Sequence, residues 1–349
     1  MKEDYFDKAT SYGQMRRALN RCCRNVRWKD SVVGYELHAA QNTHSLINEI
    51  RNGTYKISPY QHFTIYEPKK REIVATRIRD RQVQMALCEN GLYQDLTEHF
   101  IYDNCACQKG KGTDFALNRM KAHLHQYYRK HGADGWVLQC DVRHFFPSTR
   151  HDVAKAAVEK RVSDPRARQY VFDVIDSFDG EVGIGLGSQI SQLVELAVLD
   201  DLDHYIKEKL HIRHYMRYMD DFRLIHHSKK VLRNCWRVIA QKLKDIGLCL
   251  NDKTCIHPLR HGVKFLQWRF ILSGTGKVTM KMLQDKVYSE KRRLRKLLMR
   301  EAVGELPKGT AYCSFVSWIA NAERGNTYYQ MQSVTNYFER IKGEIYDNG

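Results

Sequence analysis

The feature that most constrains this chain is a pair of adjacent aspartates between two apolar, β-favouring runs. Asp220 and Asp221 separate the run at residues 214–219 from the run at residues 222–225. Strand-forming residues on both sides of a short polar pair predict a β-hairpin with the carboxylates at its tip. Acids at a turn are usually just solvated, so the pair indicates chemistry only if another acid joins it.

A third acid stands at the end of a different apolar strand. Residues 136–140 form a short strand-like run, and Asp141 follows it directly. Two strands that each deliver a carboxylate to one point can hold Mg²⁺, which prefers oxygen ligands and binds substrate phosphates. Two such ions, about 3.5–4 Å apart, stabilise the attacking and leaving oxygens of an in-line phosphoryl displacement. We therefore expect Asp141, Asp220 and Asp221 to meet around divalent cations.

The net charge narrows the class of partner. The chain has 57 Lys and Arg against 40 Asp and Glu, a formal charge of +17 over 349 residues. A single-sign excess of this size indicates a polyanion, and nucleic acid is the commonest one. A solubility surface is the alternative, but such surfaces rarely need so strong an excess.

The ten cysteines indicate neither a disulfide framework nor a zinc site. They are scattered along the chain, and no second pair stands at zinc-finger spacing from Cys105 and Cys107. No segment resembles a signal peptide, and the longest apolar stretch, around residues 196–199, is too short to span a bilayer. A cytoplasmic protein without a membrane partner is expected.

The predicted elements divide the chain into three parts. Residues 1–135 combine basic N-terminal helices with a strand pair, and residues 136–272 hold the acidic strand, the hairpin and helices between 151 and 182. A long apolar helix is expected through residues 193–206. Residues 273–349 are expected to be helical and strongly basic.

Taken in order, the motifs resemble those of the reverse transcriptases of bacterial retroelements, over about residues 10–330. Seven segments carry the resemblance: residues 66–73, residues 79–84, Asp141 with Phe146, residues 218–221, Lys253, residues 263–266 and residues 317–326. Each segment alone is weak evidence, and their shared order makes the resemblance specific.

The resemblance implies an α+β right-hand polymerase of fingers, palm and thumb. An antiparallel palm sheet would carry the Tyr-Met-Asp-Asp hairpin, and the thumb would be helical. The implied activity is RNA-directed DNA polymerisation, in which a primer 3′-hydroxyl attacks the α-phosphorus of a dNTP and pyrophosphate leaves. The implied partners are template RNA, primer, the RNA/DNA hybrid and dNTPs. Two Mg²⁺ ions are the implied cofactors, with Mn²⁺ as a substitute.

Roles at the metal site follow from the same resemblance. Asp141 and Asp220 correspond to the main metal ligands, and Asp221 completes the acidic cluster. The carbonyl of Val142 would add a backbone ligand. Lys253 would supply a proton or a positive charge to the leaving pyrophosphate.

Other residues correspond to the nucleotide site. Lys69, Lys70 and Arg71 lie on the predicted fingers hairpin, where Arg71 is the best match for gripping the triphosphate. Phe146 would stack under the incoming sugar and exclude a 2′-hydroxyl by steric clash. Gln192 belongs to a motif that contacts the template and the incoming base. Each of them also has an ordinary interpretation, as a core or solvated surface residue.

The template and primer contacts complete the implied site. Leu186 and Gly187 correspond to the template loop, and Lys264, Phe265 and Leu266 correspond to the primer grip. The basic terminal helices would hold the hybrid through its phosphates, so binding should be salt-sensitive and weakly sequence-specific.

The run at residues 186–192 is most similar to the diversity-generating group, because Gln192 stands where intron and retron enzymes usually have proline. That group implies a bacterial or phage-encoded enzyme, a small basic accessory protein, a structured non-coding RNA and errors opposite adenine. A reverse transcriptase of antiphage defence is the alternative. A non-catalytic RNA-binding protein is a second alternative, which the intact acids disfavour.

Overall fold

The computed structural model describes residues 5–66 and 70–346 of the chain, and within them the chain forms sixteen α-helices and nine strands. The helices are α1 Phe6–Ala9, α2 Tyr12–Cys22, α3 Asp30–Leu37, α4 Ala39–Arg51, α5 Ile78–Leu87, α6 Tyr93–Thr97, α7 Thr113–His131, α8 Phe145–Ser148, α9 His151–Glu159, α10 Pro165–Asp176, α11 Gln189–Val198, α12 Asp200–His204, α13 Lys229–Asp245, α14 Gln284–Ala302, α15 Thr310–Ala322 and α16 Tyr328–Tyr346. The strands are β1 Gln61–Ile65, β2 Arg71–Ala75, β3 Trp136–Asp141, β4 His214–Tyr218, β5 Asp221–His226, β6 Cys255–Pro258, β7 Val263–Phe265, β8 Trp268–Leu272 and β9 Val278–Met282. None of the helices described is long and apolar enough to cross a bilayer.

The chain divides into two compact units. The first comprises Met1–Gly112, Gln139–Phe222 and Asn234–Thr254, and the second comprises Thr113–Leu138, Arg223–Arg233 and Cys255–Gly349. The predicted division of the chain into three domains at residues 135 and 272 remains a prediction, because these two units are defined only by how the chain packs.

The strands form three sheets. β1 and β2 are an antiparallel pair, β4-β5-β3-β6 is the order of a four-stranded sheet, and β7-β8-β9 is an antiparallel meander. Every residue of β4 except its last is buried. A strand covered on both faces is apolar along its whole length instead of alternating, which is why the hairpin could be predicted from two continuous runs.

The N-terminal helices of the first unit pack around a small apolar core. α2 packs against α4 and α5. Leu19, Cys23, Val32 and Ala39 are its buried members, and Val26 packs against them. This core ties the turn between α2 and α3 to the body of the first unit.

Two predicted elements differ in the structure. The helix expected through residues 193–206 is broken: α11 ends at Val198, and α12 starts at Asp200. No glycine or proline marks the break in the sequence, so no stop signal was available there. The strand β9 lies in the region expected to be helical. Its alternating burial, with Met280 and Met282 inside and Lys281 outside, follows the strand period that the surrounding basic charge obscured.

The turn between β7 and β8 stores backbone strain. Leu266 and Gln267 both have positive φ angles, of 47° and 72°. Two-residue hairpin turns of this kind favour glycine, because a Cβ destabilises the left-handed conformation by about 1–2 kcal/mol. The carbonyl of Gln267 accepts a 3.0 Å hydrogen bond from the Leu283 backbone N–H, and its side chain is exposed.

We expect Gln267→Gly to stabilise the protein by about 0.5–1 kcal/mol, because the released strain exceeds the added chain entropy. Urea unfolding would measure the change. Arg269→Gly, at an exposed strand position without a positive φ, is the matched control and should destabilise. A loss of stability in both variants would contradict the strain at this turn.

Candidate active site

The hairpin tip lies against the end of strand β3. The Val142 backbone N–H donates a 3.1 Å hydrogen bond to the Asp220 carbonyl. On the other side, the Asn251 N–H donates to the Asp141 carbonyl at 2.7 Å. Asp141 and Asp220 therefore stand on adjacent backbone segments of the first unit, although 79 positions separate them in the chain (220 − 141).

The carboxylates of this cluster repel one another. The pKa of Asp220 is raised from 3.8 to about 6, mainly by burial, next by the charge of Asp141 and to a smaller extent by the charge of Asp221. The N–H groups at the tip only partly oppose this shift. Such an excess of negative charge on oxygen donors suits a hard divalent cation, which would favour the ionised forms.

The geometry does not provide a ready-made metal site. Among the residues described, no group of three or more His, Cys, Asp or Glu side chains is arranged to hold a metal ion. The three acids share an electrostatic environment, and their oxygen-only chemistry fits Mg²⁺. Their assignment as ligands remains a proposal.

A buried ion pair supports the tip of the β4–β5 hairpin. Arg217 and Asp203 are both 0% exposed, and Arg217 Nη2 lies 2.6 Å from Asp203 Oδ2. Arg217 Nη1 donates a 2.9 Å hydrogen bond to the carbonyl of Met219, and Nη2 donates to the carbonyl of Leu196 at 3.1 Å. Met219 has a φ of 55°, which is unfavourable for a side chain of this size. Arg217 thus holds the strained residue that directly precedes Asp220.

A fourth acid lies near Asp220 in the interior of the first unit. Glu195 on α11 is fully buried, and its Oε2 accepts a 2.9 Å hydrogen bond from the Thr149 hydroxyl. Burial raises the pKa of Glu195 well above its usual value, and the charge of Asp220 raises it further. Burial and the charge of Asp220 therefore both favour the protonated form of Glu195.

The glycine-rich loop before α11 packs onto strand β2. The Val74 N–H donates a 2.8 Å hydrogen bond to the Leu186 carbonyl. Gly187 has a φ of 141°, and a Cβ there would lie 2.5 Å from the Val74 carbonyl oxygen. Only glycine allows this approach. Ser188 then caps α11 and donates a 2.9 Å hydrogen bond to Gln84.

A cavity of about 450 Å³ opens beside this loop. Its lining includes Phe146, Val74, Gly185 and Leu186, together with the stacked rings of Tyr60 and Phe178, whose centroids are 5.0 Å apart. A half-apolar cavity with aromatic walls has the shape and chemistry for a flat heteroaromatic group.

The remaining predicted residues of the first unit are near the chain surface. Gln192 is half-buried in the first turn of α11, Arg71 is exposed at the start of β2, and Lys70 is exposed beside it. Lys253 is exposed, and its N–H is bonded to the Asn251 side chain at 3.0 Å. Lys69 lies outside the described residues.

The predicted primer grip is in the second unit. Lys264 is exposed, Phe265 is buried, and Leu266 is half-buried on the β7–β8 hairpin. Arg223 donates a 2.8 Å hydrogen bond to the Lys264 carbonyl, and its guanidinium lies 5.5 Å from the centre of the Phe265 ring. Arg223 therefore fixes the backbone of this hairpin.

Sequence reasoning missed Arg217, Asp203 and Glu195. A signal was available for Arg217, because it is the one arginine in the otherwise largely apolar β4 run. A charge inside such a strand needs a partner, but its sequence does not say which acid is the partner.

Most of the chain matches one protein family. Residues 67–289 match the family described as "Reverse transcriptase (RNA-dependent DNA polymerase)". Protein YkfC of Escherichia coli (strain K12) is 25% identical over 279 residues, which cover 65% of this chain and 70% of that protein.

Two solved telomerase structures have a similar fold. The telomerase of Candida albicans in complex with the TWJ fragment of telomeric RNA gives a TM-score of 0.51 at 9% identity, over 84% of this chain and 62% of that one. Apo telomerase of Candida tropicalis gives a TM-score of 0.53 at 10% identity, over 87% and 67%. This chain spans less than two thirds of the Candida albicans chain. The predicted fold class, a mixed α and β right-hand polymerase with antiparallel sheets, is confirmed.

Proposed function

Because the chain belongs to the reverse transcriptase family, we propose that it is an RNA-directed DNA polymerase whose catalytic acids are Asp141, Asp220 and Asp221. The observation that carries this proposal is the hydrogen bond from Val142 to the Asp220 carbonyl, which joins the two acidic segments at one end of the sheet.

The acids would hold the divalent cations together with the Val142 carbonyl. When bound, two Mg²⁺ ions would lower the charge at the attacking 3′-oxygen and at the leaving pyrophosphate. Asp141 and Asp220 fix the positions of those charges, because each is attached to a backbone segment hydrogen-bonded to the other. Arg71 would pair with the triphosphate, and Lys253 would donate a proton or a positive charge to the leaving group.

The cavity beside Phe146 suits the nucleotide and its templating base. Phe146 on this wall would exclude a 2′-hydroxyl by volume, so dNTPs would be preferred over NTPs. Leu186 and Gly187 would contact the template, and Gln192 the incoming base. Lys264, Phe265 and Leu266 would form the primer grip. The net charge of +17 supports a long phosphate backbone as the partner.

We further propose that the product is cDNA for a diversity-generating retroelement. Gln192 after Ser191 supports this subgroup, and it lies half-buried in the first turn of α11. A small basic accessory protein and a structured non-coding RNA would complete that system. Mg²⁺ would be the cation, with Mn²⁺ as a substitute.

Primer extension on a defined RNA template tests the proposal. We expect purified protein with Mg²⁺ to extend an annealed DNA primer with dNTPs and at least 10²-fold less efficiently with NTPs. Sequencing the product would show substitutions concentrated opposite template adenines. Accurate copying would remove the diversity-generating role and leave the polymerase, whereas no extension under any template and primer would overturn the polymerase.

A further inference from the structure

The turn between α2 and α3 presents an unusually exposed aromatic ring. Trp28 is 77% exposed, although tryptophan is among the most buried residue types on average. It belongs to none of the elements discussed above, and the polymerase site makes no use of it.

The ring is held in place and does not hang loosely from the chain. The indole Nε1–H donates a 3.2 Å hydrogen bond to the Asn25 carbonyl, and the Lys29 ammonium lies 5.1 Å from the ring centre. Asn25 has a φ of 62°, which forms the tight turn. Val26 packs into the core of α2 and α3. The turn is therefore anchored through Val26, while most of the Trp28 side chain remains exposed to solvent.

The basic side chains of α2 and of this turn are only partly neutralised. Arg21 is paired with Glu89, and Arg27 is paired with Glu36. For the described parts of the chain, no acid lies within ion-pair distance of Arg17, Arg24 or Lys29, and all three are exposed. An acidic face, such as a phosphate backbone, would supply the missing charge.

We propose that Trp28, Arg24 and Lys29 form a site for single-stranded RNA, in which an unpaired base stacks on the indole and the two cations contact its flanking phosphates. Stacking on an exposed ring requires a base whose face is free, which excludes paired strands. Base stacking also explains why an indole stays in water while its N–H is already satisfied by the turn. The site shares no residue with those proposed for the polymerase reaction, and only the choice of RNA over DNA rests on the proposed function.

Two neighbouring residues could also suit a protein partner. Val33 and Leu37, one turn apart on α3, are 39% and 76% exposed. Neither residue has an aromatic ring with a cation beside it, as Trp28 has in Lys29. The unpaired cations of the turn therefore favour RNA over a protein partner. The protein alternative is therefore kept as an outcome of the test.

The experiment measures binding of a fluorescein-labelled (CA)6 RNA by anisotropy, with the polymerase site saturated by unlabelled RNA/DNA template–primer duplex. We expect Trp28→Ala to weaken binding at least 5-fold, since stacking on one ring contributes about 1–3 kcal/mol by alanine substitution. Trp28→Phe should recover most of the affinity. Lys29→Gln and Arg24→Gln should each lower the salt slope by about 0.7.

The controls separate this site from the polymerase reaction. Trp28→Ala should extend a short annealed template–primer at the wild-type rate, and its melting temperature should be unchanged because the residue is exposed. If the wild-type protein failed to extend the primer, the RNA-binding result for Trp28 would still stand, because the two are separate measurements. Equal RNA affinity of Trp28→Ala and wild type would overturn the site. A tighter Trp28-dependent complex with (CA)6 DNA would reassign it to DNA. Self-association of the wild-type protein that Trp28→Ala abolishes, with unchanged RNA affinity, would reassign it to a second copy of the chain.

Discussion

Asp220→Asn should reduce primer extension by about 10³-fold or more while leaving RNA binding intact. The substitution keeps the side-chain volume and removes only the charge that a divalent cation would neutralise. Retained affinity for the template–primer would show that the loss lies in chemistry and not in folding or binding. Extension at the wild-type rate would contradict the assignment of this residue.

The same substitution should stabilise the metal-free protein at alkaline pH. Asp220 keeps its proton in the folded state up to about pH 6, whereas the unfolded chain loses it near 3.8. The folded state therefore binds more protons between these values, and its stability falls as pH rises from about 4 through 6. Since a shift of about 2 pKa units corresponds to at most about 3 kcal/mol, Asp220→Asn should raise the melting temperature at pH 8 and not at pH 4.

Mg²⁺ adds a second, independent readout. The ion should raise the melting temperature of the wild-type protein at pH 8, because it binds the folded cluster. The same concentration should have little effect on Asp220→Asn. Asp173→Asn, an exposed acid on α10, is the charge-matched control and should behave like the wild type. A melting temperature that falls in Asp220→Asn at pH 8 would show that the acids do not repel one another as the geometry implies.

The hairpin and the strand before Asp141 could be predicted because both are rich in strand-forming residues and each ends in an acid. Most of their residues are buried, and the local sequence indicates this burial. The order of the motifs then placed them in one fold. The roles of the acids, of Phe146 and of Lys253 remain proposals until they are tested.

Arg217 illustrates what local pattern cannot show. The sequence suggests a polar break in an apolar strand, yet the guanidinium of Arg217 is buried against Asp203, which lies 14 positions earlier in the chain and in no predicted strand. The partner lies on α12, an element that the sequence joined to α11 as a single helix. A buried charge can be found from the strand alone, but its neutralising acid depends on tertiary packing.

Asp203→Asn should destabilise the protein by about 3–5 kcal/mol, because Arg217 would be left as a buried charge with no counter-ion. Arg217→Met should do the same by stranding the acid. Urea unfolding would measure both losses, and an exposed pair offers the control: Arg340→Met removes a cation from an ion pair at 3.0 Å to Glu344, and it should change stability by less than about 1 kcal/mol.

A variant that removes the polar groups of Asp203, Arg217 and Tyr215 together separates their effect on stability from their effect on the position of the hairpin tip. Asp203 Oδ1 also accepts a hydrogen bond from the Tyr215 hydroxyl. We therefore combine Asp203→Leu, Arg217→Met and Tyr215→Phe, which leaves no buried charge and should recover much of the lost stability. It also removes the hydrogen bond to the Met219 carbonyl.

If that hydrogen bond holds the strained tip, the triple variant should fold and bind template–primer but extend it at least 10-fold more slowly. Met219→Gly added to it should restore part of the rate, because glycine adopts a φ of 55° without the strain. A triple variant with full stability and a full rate would show that the ion pair only stabilises the fold. A slow triple variant that Met219→Gly rescues would show that the pair places Asp220, which is the step from packing to catalysis.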